Sequence, residues 1–116
     1  MLSSRAIAAL FDICDNARLA QQWIAGHSLQ SFTDDRRLFY AVTRCLEIVS
    51  EASRRLPPAL RDRHPHLPWQ DIRDAGNVYR HNYDNVAETI VWRTVQQRLP
   101  ELVAVIEEEI ARLKQD

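Results

Sequence analysis

Seven consecutive residues, Asn77 to Tyr83, carry an asparagine, an arginine, a histidine and a tyrosine, and they close the stretch PWQDIRDAGNVYRHNY at residues 68–83. An imidazole titrates near neutral pH and can move a proton. A guanidinium is a planar fork that matches phosphate. On a helix, Asn77 and His81 stand four residues apart and share a face, and Arg73 lies seven residues before Arg80 on nearly the same stripe. Gly76 falls mid-segment, where glycine costs about 1 kcal/mol relative to alanine. A glycine there suggests the close approach of another backbone or a ligand. The plainer alternative is a polar helix end whose histidine caps the last carbonyls.

The charge around that stretch is uneven. The chain has 15 basic and 16 acidic residues, a net charge of −1, which argues against coating nucleic acid by bulk electrostatics. Residues 54–81 nevertheless hold Arg54, Arg55, Arg61, Arg63, Arg73 and Arg80 against Asp62, Asp71 and Asp74, so this segment is +3 and the rest is −4. Such a cluster beside a histidine is compatible with an RNA-facing site, with Arg54, Arg55, Arg61 and Arg63 as the phosphate-binding residues. Pairing with helix-surface acids is the competing role for the same side chains. Two other sets are weaker. His64-Pro-His66 invites a zinc reading but lacks a second ligand pair at zinc-site spacing, and an exposed loop over the site is preferred. Glu47 and Glu51 form an i, i+4 carboxylate pair that reads as a solvated or arginine-paired face rather than a metal or acid–base site.

Helical periodicity supplies the elements that must position these residues. A first helix is expected from Ser4 to Ala25, with Ile7, Leu10, Phe11, Cys14, Ala17 and Ile24 on its apolar stripe and Gly26 as its C-terminal cap. A second runs from Asp34 to about Leu56, N-capped by Thr33 and striped by Leu38, Phe39, Val42, Cys45, Leu46, Val49 and Ala52. Pro57-Pro58 ends it, and residues 57–68 read as a loop with one short turn around Ala59 to Arg63. Pro68 opens a third helix, Trp69 to about His81. Asp84 or Asn85 caps a fourth, reaching Leu99, and Pro100 opens a fifth whose Glu107, Glu108 and Glu109 crowd a solvated surface.

The result is an all-α, up-and-down bundle of four long helices plus a shorter one, in a single domain over residues 1–116. With 46% hydrophobic and 27% charged residues, the composition is that of a soluble globular protein. No run of about 18 apolar residues is present, so no membrane span is expected. The first residues lack a signal-peptide pattern, and Cys14 and Cys45 sit at apolar positions on different helices. They read as reduced core residues in a cytoplasmic protein, not as a disulfide or ligand pair. Ile13, Trp23 and Trp92 lie outside the main stripes and suggest a further apolar interface, hence a homodimer.

Pro68, Trp69 and Ile72, then Asn77, His81 and Tyr83, then Val91, Trp92 and Leu99 to Leu102 together resemble the HepT-like branch of the HEPN proteins. The resemblance covers about residues 1–113. It implies a HEPN-like homodimer with the His-x-Tyr segments near its two-fold cleft. It also implies the toxin half of a HEPN–MNT toxin–antitoxin pair, a metal-independent endoribonuclease requiring no cofactor. In that family His81 takes or gives a proton, Asn77 orients it or a phosphate oxygen, and the partner nucleotidyltransferase adenylylates the tyrosine at position 83. The family signature places an arginine four to six residues before His-x-Tyr. Here those spacings fall on Gly76, Ala75 and Asp74, so Arg80 or Arg73 must supply the charge. The resemblance thus leaves a second function open, a catalytically inactive dimer that binds the nucleotidyltransferase or RNA. A purely structural helical adaptor is the third.

Overall fold

A serine opens the first helix. Ser3 Oγ accepts the Ala6 N–H (3.1 Å), and α1 runs from Ser4 to Ile24. It stops where Gly26 adopts φ +83, a left-handed conformation open to glycine without a Cβ penalty. The computed structural model describes residues 1–81 and 85–115, and of residues 77–81 and 85–86 the backbone alone. The inward stripe of α1 is rotated from its expected position. Ile13 is fully buried in the core, whereas Phe11 is exposed.

A short helix, α2 (Leu29–Asp34), precedes the expected second helix. Ser28 and Ser31 form a reciprocal capping box, and Phe32 inserts completely into the core. Asp35, not Thr33, then caps α3 (Arg36–Ser53) by accepting the Leu38 N–H at 3.0 Å. Phe39, Val42, Cys45, Leu46 and Val49 face inward from α3 as their spacing predicted. Both cysteines are free and buried, and burial pushes both thiols up from their ordinary value, which makes them poor nucleophiles. Trp92, expected to face a partner, is half-buried and packs on Phe32 with ring centroids 5.6 Å apart. Among Ile13, Trp23 and Trp92, only Trp23 is exposed.

The two expected C-terminal helices form one helical run. It comprises α6 (Asn85–Arg93), a π-helical turn (Thr94–Arg98) and α7 (Leu99–Leu113). Pro100 has no N–H to donate and would open the hydrogen-bond ladder in a regular helix. The π turn absorbs this: the Leu99 N–H reaches back five residues to the Thr94 carbonyl, and the proline sits inside the first turn of α7. The helix therefore continues where a break was expected. α1 packs between α3 and α7, and α3 also carries α5 (Trp69–His81).

Residues 57–68 do not lie over the site as a free loop. They contain α4 (Pro58–Asp62), with Leu60 fully buried, and they are pinned to α7 by Glu109. That glutamate, expected in a solvated acidic face, is 1% exposed. Arg63 grips it with Nε at 3.2 Å from Oε2 and a terminal nitrogen at 2.5 Å from Oε1. His64 Nε2 lies 2.5 Å from Glu109 Oε2 and donates to it, since a carboxylate only accepts. Arg112 adds a weaker contact at 3.6 Å. Burial alone would raise the Glu109 carboxyl. The hydrogen bonds from Arg63 and His64, with their charges, outweigh it and hold the group below its ordinary value of 4.5.

A carboxyl depressed by folding stabilises the fold above its unfolded pKa and loses that contribution as pH falls through the folded value. Glu109→Gln keeps the shape but removes the charge facing Arg63 and His64. It should lower stability at pH 7 by about 3 kcal/mol, on the order of 10 °C in Tm. In thermal scans the gap to the parent chain should close as pH drops below 4.5. A gap that is absent at neutrality, or constant into acid, contradicts this role.

Candidate functional site

The chemistry-bearing helix is held at two points. At its start, the Trp69 indole N–H donates to the His64 carbonyl (2.9 Å), so the Glu109 anchor also fixes the first turn of α5. In its middle, Ser50 of α3 and Arg54, the C-cap of that helix, converge on one peptide group. Ser50 Oγ–H and the Arg54 guanidinium each donate to the Arg73 carbonyl at 2.9 Å. Ser50 Oγ in turn accepts the Gly76 N–H at 3.1 Å. Ser50 is 4% exposed and Gly76 is buried, so the Ser50–Gly76 contact is shielded from water, while the Arg54 guanidinium stays exposed. At Gly76 the approaching group is a side chain of α3, which meets the backbone N–H.

Beyond Gly76 the backbone stays helical to His81. Arg73, Asn77 and His81 therefore follow at four-residue steps along one register. The side chains of Asn77, Arg80 and His81, and all of Tyr83, lie outside the described residues. Arg73 is half-buried, and its Nε has no hydrogen-bond partner among the described residues. Arg61 Nε is in the same condition.

The other arginines expected to meet RNA have partners within the chain. Arg54 caps the Arg73 carbonyl, Arg55 pairs with Asp12 at 2.7 Å, and Arg63 clasps Glu109. Arg54 and Arg63 keep part of their surface open, whereas Arg55 is mostly covered. His64 is buried on Glu109, and His66 stands exposed 3.6 Å from Glu101. Glu47 pairs with Arg44 at 3.4 Å, as an arginine-paired face would.

Sequence reasoning missed Ser50, which looked like one more small residue beside an apolar stripe. It also missed Glu88, which is 4% exposed and paired with Arg36 at 2.8 Å. The Arg36 guanidinium also lies over the Phe39 and Tyr40 rings of its own helix, 5.2 and 5.1 Å from their centroids, and its pair with Glu88 ties α3 to α6 at this end.

The fold defines an all-α, HEPN-like helical bundle in which the candidate residues Arg73, Asn77, Arg80 and His81 lie on one helix, clamped to its neighbour through the Arg73 carbonyl. The chain belongs to the ribonuclease HepT-like family, whose model matches residues 13–109. It is 30% identical over 93 residues to the "Probable ribonuclease HepT" of Thermococcus cleftensis, covering 80% of this chain and 84% of that one. A protein of Caldanaerobacter subterraneus, provisionally named as an RNase, is 33% identical over 91 residues, 78% of this chain and 81% of its own. Another so named, from Methanocaldococcus jannaschii, is 28% identical over 107 residues, 91% and 98% of the two chains. No solved structure gives a significant match.

Ser50→Ala removes two of the three bonds of the junction, leaving the Arg54 bond to the Arg73 carbonyl and leaving the Gly76 N–H without its α3 partner. The expected loss is about 1–3 kcal/mol in chemical denaturation. Hydrogen exchange should accelerate most at Gly76 and in the turns that follow it, with α1 and α7 unchanged. Uniform acceleration across all helices, or none, contradicts a local clamp.

Proposed function

We propose that the chain is a metal-independent endoribonuclease acting at the end of α5, and the toxin half of a pair with an MNT-type nucleotidyltransferase. One observation carries the reading: a HepT-like ribonuclease chain whose α5 backbone runs helically to His81, one turn past Asn77. The chemistry is attack of a ribose 2′-hydroxyl on the adjacent phosphate. The 2′-O–P bond forms, the P–O5′ bond breaks, and the 5′-oxygen leaves with a proton. His81 takes the 2′-hydroxyl proton or supplies the one that leaves. Asn77 orients His81 or a phosphate oxygen, and Arg80 or Arg73 stabilises the negative charge on phosphorus. Two copies related by a two-fold axis would double the arginine density along one RNA strand. Adenylylation of Tyr83 by the nucleotidyltransferase would set a phosphate charge beside those arginines and compete with RNA.

A specific observation also favours the second reading, a binding protein without cleavage. Position 76, where the family arginine would stand at its shortest spacing, is a glycine buried against Ser50.

The deciding experiment is RNA cleavage in EDTA by the parent chain and by His81→Ala, Arg80→Ala and Arg73→Ala. His81→Ala should abolish cleavage and growth arrest while light scattering shows the parent's dimer. The arginine that serves the phosphate should cost about 10²-fold or more on substitution. A parent chain that neither cuts RNA nor slows growth, yet binds the nucleotidyltransferase, contradicts the ribonuclease reading and establishes the binder. After incubation with that partner and ATP, mass spectrometry should place AMP on Tyr83.

A further inference from the structure

α5 leans on α3 and leaves the helical run of residues 85–113. A groove of about 620 Å³ opens between them. Its floor is apolar: Leu46 and Val49 come from α3, and Leu99 and Leu102 from α7. Ile72 and Ala75 form one wall and Ile90 the other. The π-helical turn borders it, and Thr94, Gln97 and Arg98 all line the groove. π turns recur at functional sites because they set side chains out of the regular helical register.

The rim is acidic. Asp71 and Asp74 project from α5 and Glu101 from α7, against Arg98 as the one cation among the described lining residues. Among the described residues, none of the three carboxylates has a strong cationic partner: Asp71 has no hydrogen bond or ion pair, Asp74 accepts from the neutral Gln70 amide (2.9 Å), and Glu101 meets His66 at 3.6 Å. A phosphate backbone would be repelled by this edge, and a small polar ligand would leave the floor wet. An apolar trough this size between acidic edges matches a helix with anchors at i, i+3, i+4 and i+7 and lysine or arginine on its flanks.

We propose that this groove is a docking site for a basic amphipathic helix of a protein partner. Its α5 lining ends at Ala75, and the proposal does not depend on the ribonuclease reading.

The test is fluorescence anisotropy with the full chain and a labelled synthetic peptide of about four helical turns. Leucines stand at the anchor positions and lysines elsewhere. A matched leucine–glutamate peptide and a short labelled single-stranded RNA complete the set. The leucine–lysine peptide should bind in about the micromolar range, at least about 10-fold more tightly than the glutamate peptide. Asp71→Asn, Asp74→Asn and Glu101→Gln combined should weaken the lysine peptide by about 10-fold or more and leave circular dichroism unchanged. Ala75→Phe narrows the trough without altering charge, and it should weaken the same peptide. Binding that follows charge but ignores Ala75→Phe is surface adhesion and overturns the proposal. So does equal affinity for both peptides, weaker RNA binding in the neutralised variant, or a parent dimer that Ala75→Phe turns into monomer, which would assign the groove to a second copy.

Discussion

The buried carboxylate of Glu109 is the interaction on which the placement of α5 depends. A charge this deep must be compensated, and Arg63 and His64 do so from a segment about 45 residues earlier in the chain. That requirement draws the 57–68 connection onto α7. His64, once fixed, presents its carbonyl to the Trp69 indole, and the first turn of α5 is set. Ser50 and Arg54 then fix the Arg73 carbonyl. α5 is thus held at its start through the Glu109 anchor and in its middle from α3, one turn before Asn77. A catalytic histidine on this helix would inherit its position in part from an ion pair with no part in the chemistry.

The arginines divide along the same line. The cluster at residues 54–81 left two roles open, phosphate binding or pairing within the fold, and Arg54, Arg55 and Arg63 have partners within the chain. Their partners are a carbonyl, a surface aspartate and a buried glutamate. Such side chains can still present an open edge to a polyanion, but their geometry is set by the protein. The acid-edged groove beside α5 adds a second asymmetry, because Asp71, Asp74 and Glu101 favour a cationic ligand over a polyanion there.

Local signals were legible in the sequence and distant pairings were not. The stripe on α3 gave its buried face because the 3.6-residue period is a property of neighbouring positions. Gly26 marked the C-terminal end of α1 for the same reason. α2 was hidden because its capping box uses serine rather than the commoner glutamate at the third position. Pro100 suggested a helix break, but a preceding π turn can carry a helix through a proline, and no residue type announces one. Glu109 looked solvated among three glutamates, and nothing nearby in sequence reveals that Arg63 and His64 will meet it. At the candidate site, the residue types around His81 were readable together with their helical register. The role of Ser50 in holding Arg73 and Gly76 emerged only when α3 was set against α5.

In the proposed chemistry RNA is cut by its own 2′-hydroxyl, with protein groups moving the proton. The decisive substrate is an otherwise identical RNA with one ribose replaced by 2′-deoxyribose at the cleaved position. In EDTA, cleavage should disappear at that position alone, and the all-ribose RNA should yield a 2′,3′-cyclic phosphate end. Continued cleavage of the deoxy-substituted linkage would contradict it, because the attacking group would then have to come from water or the protein.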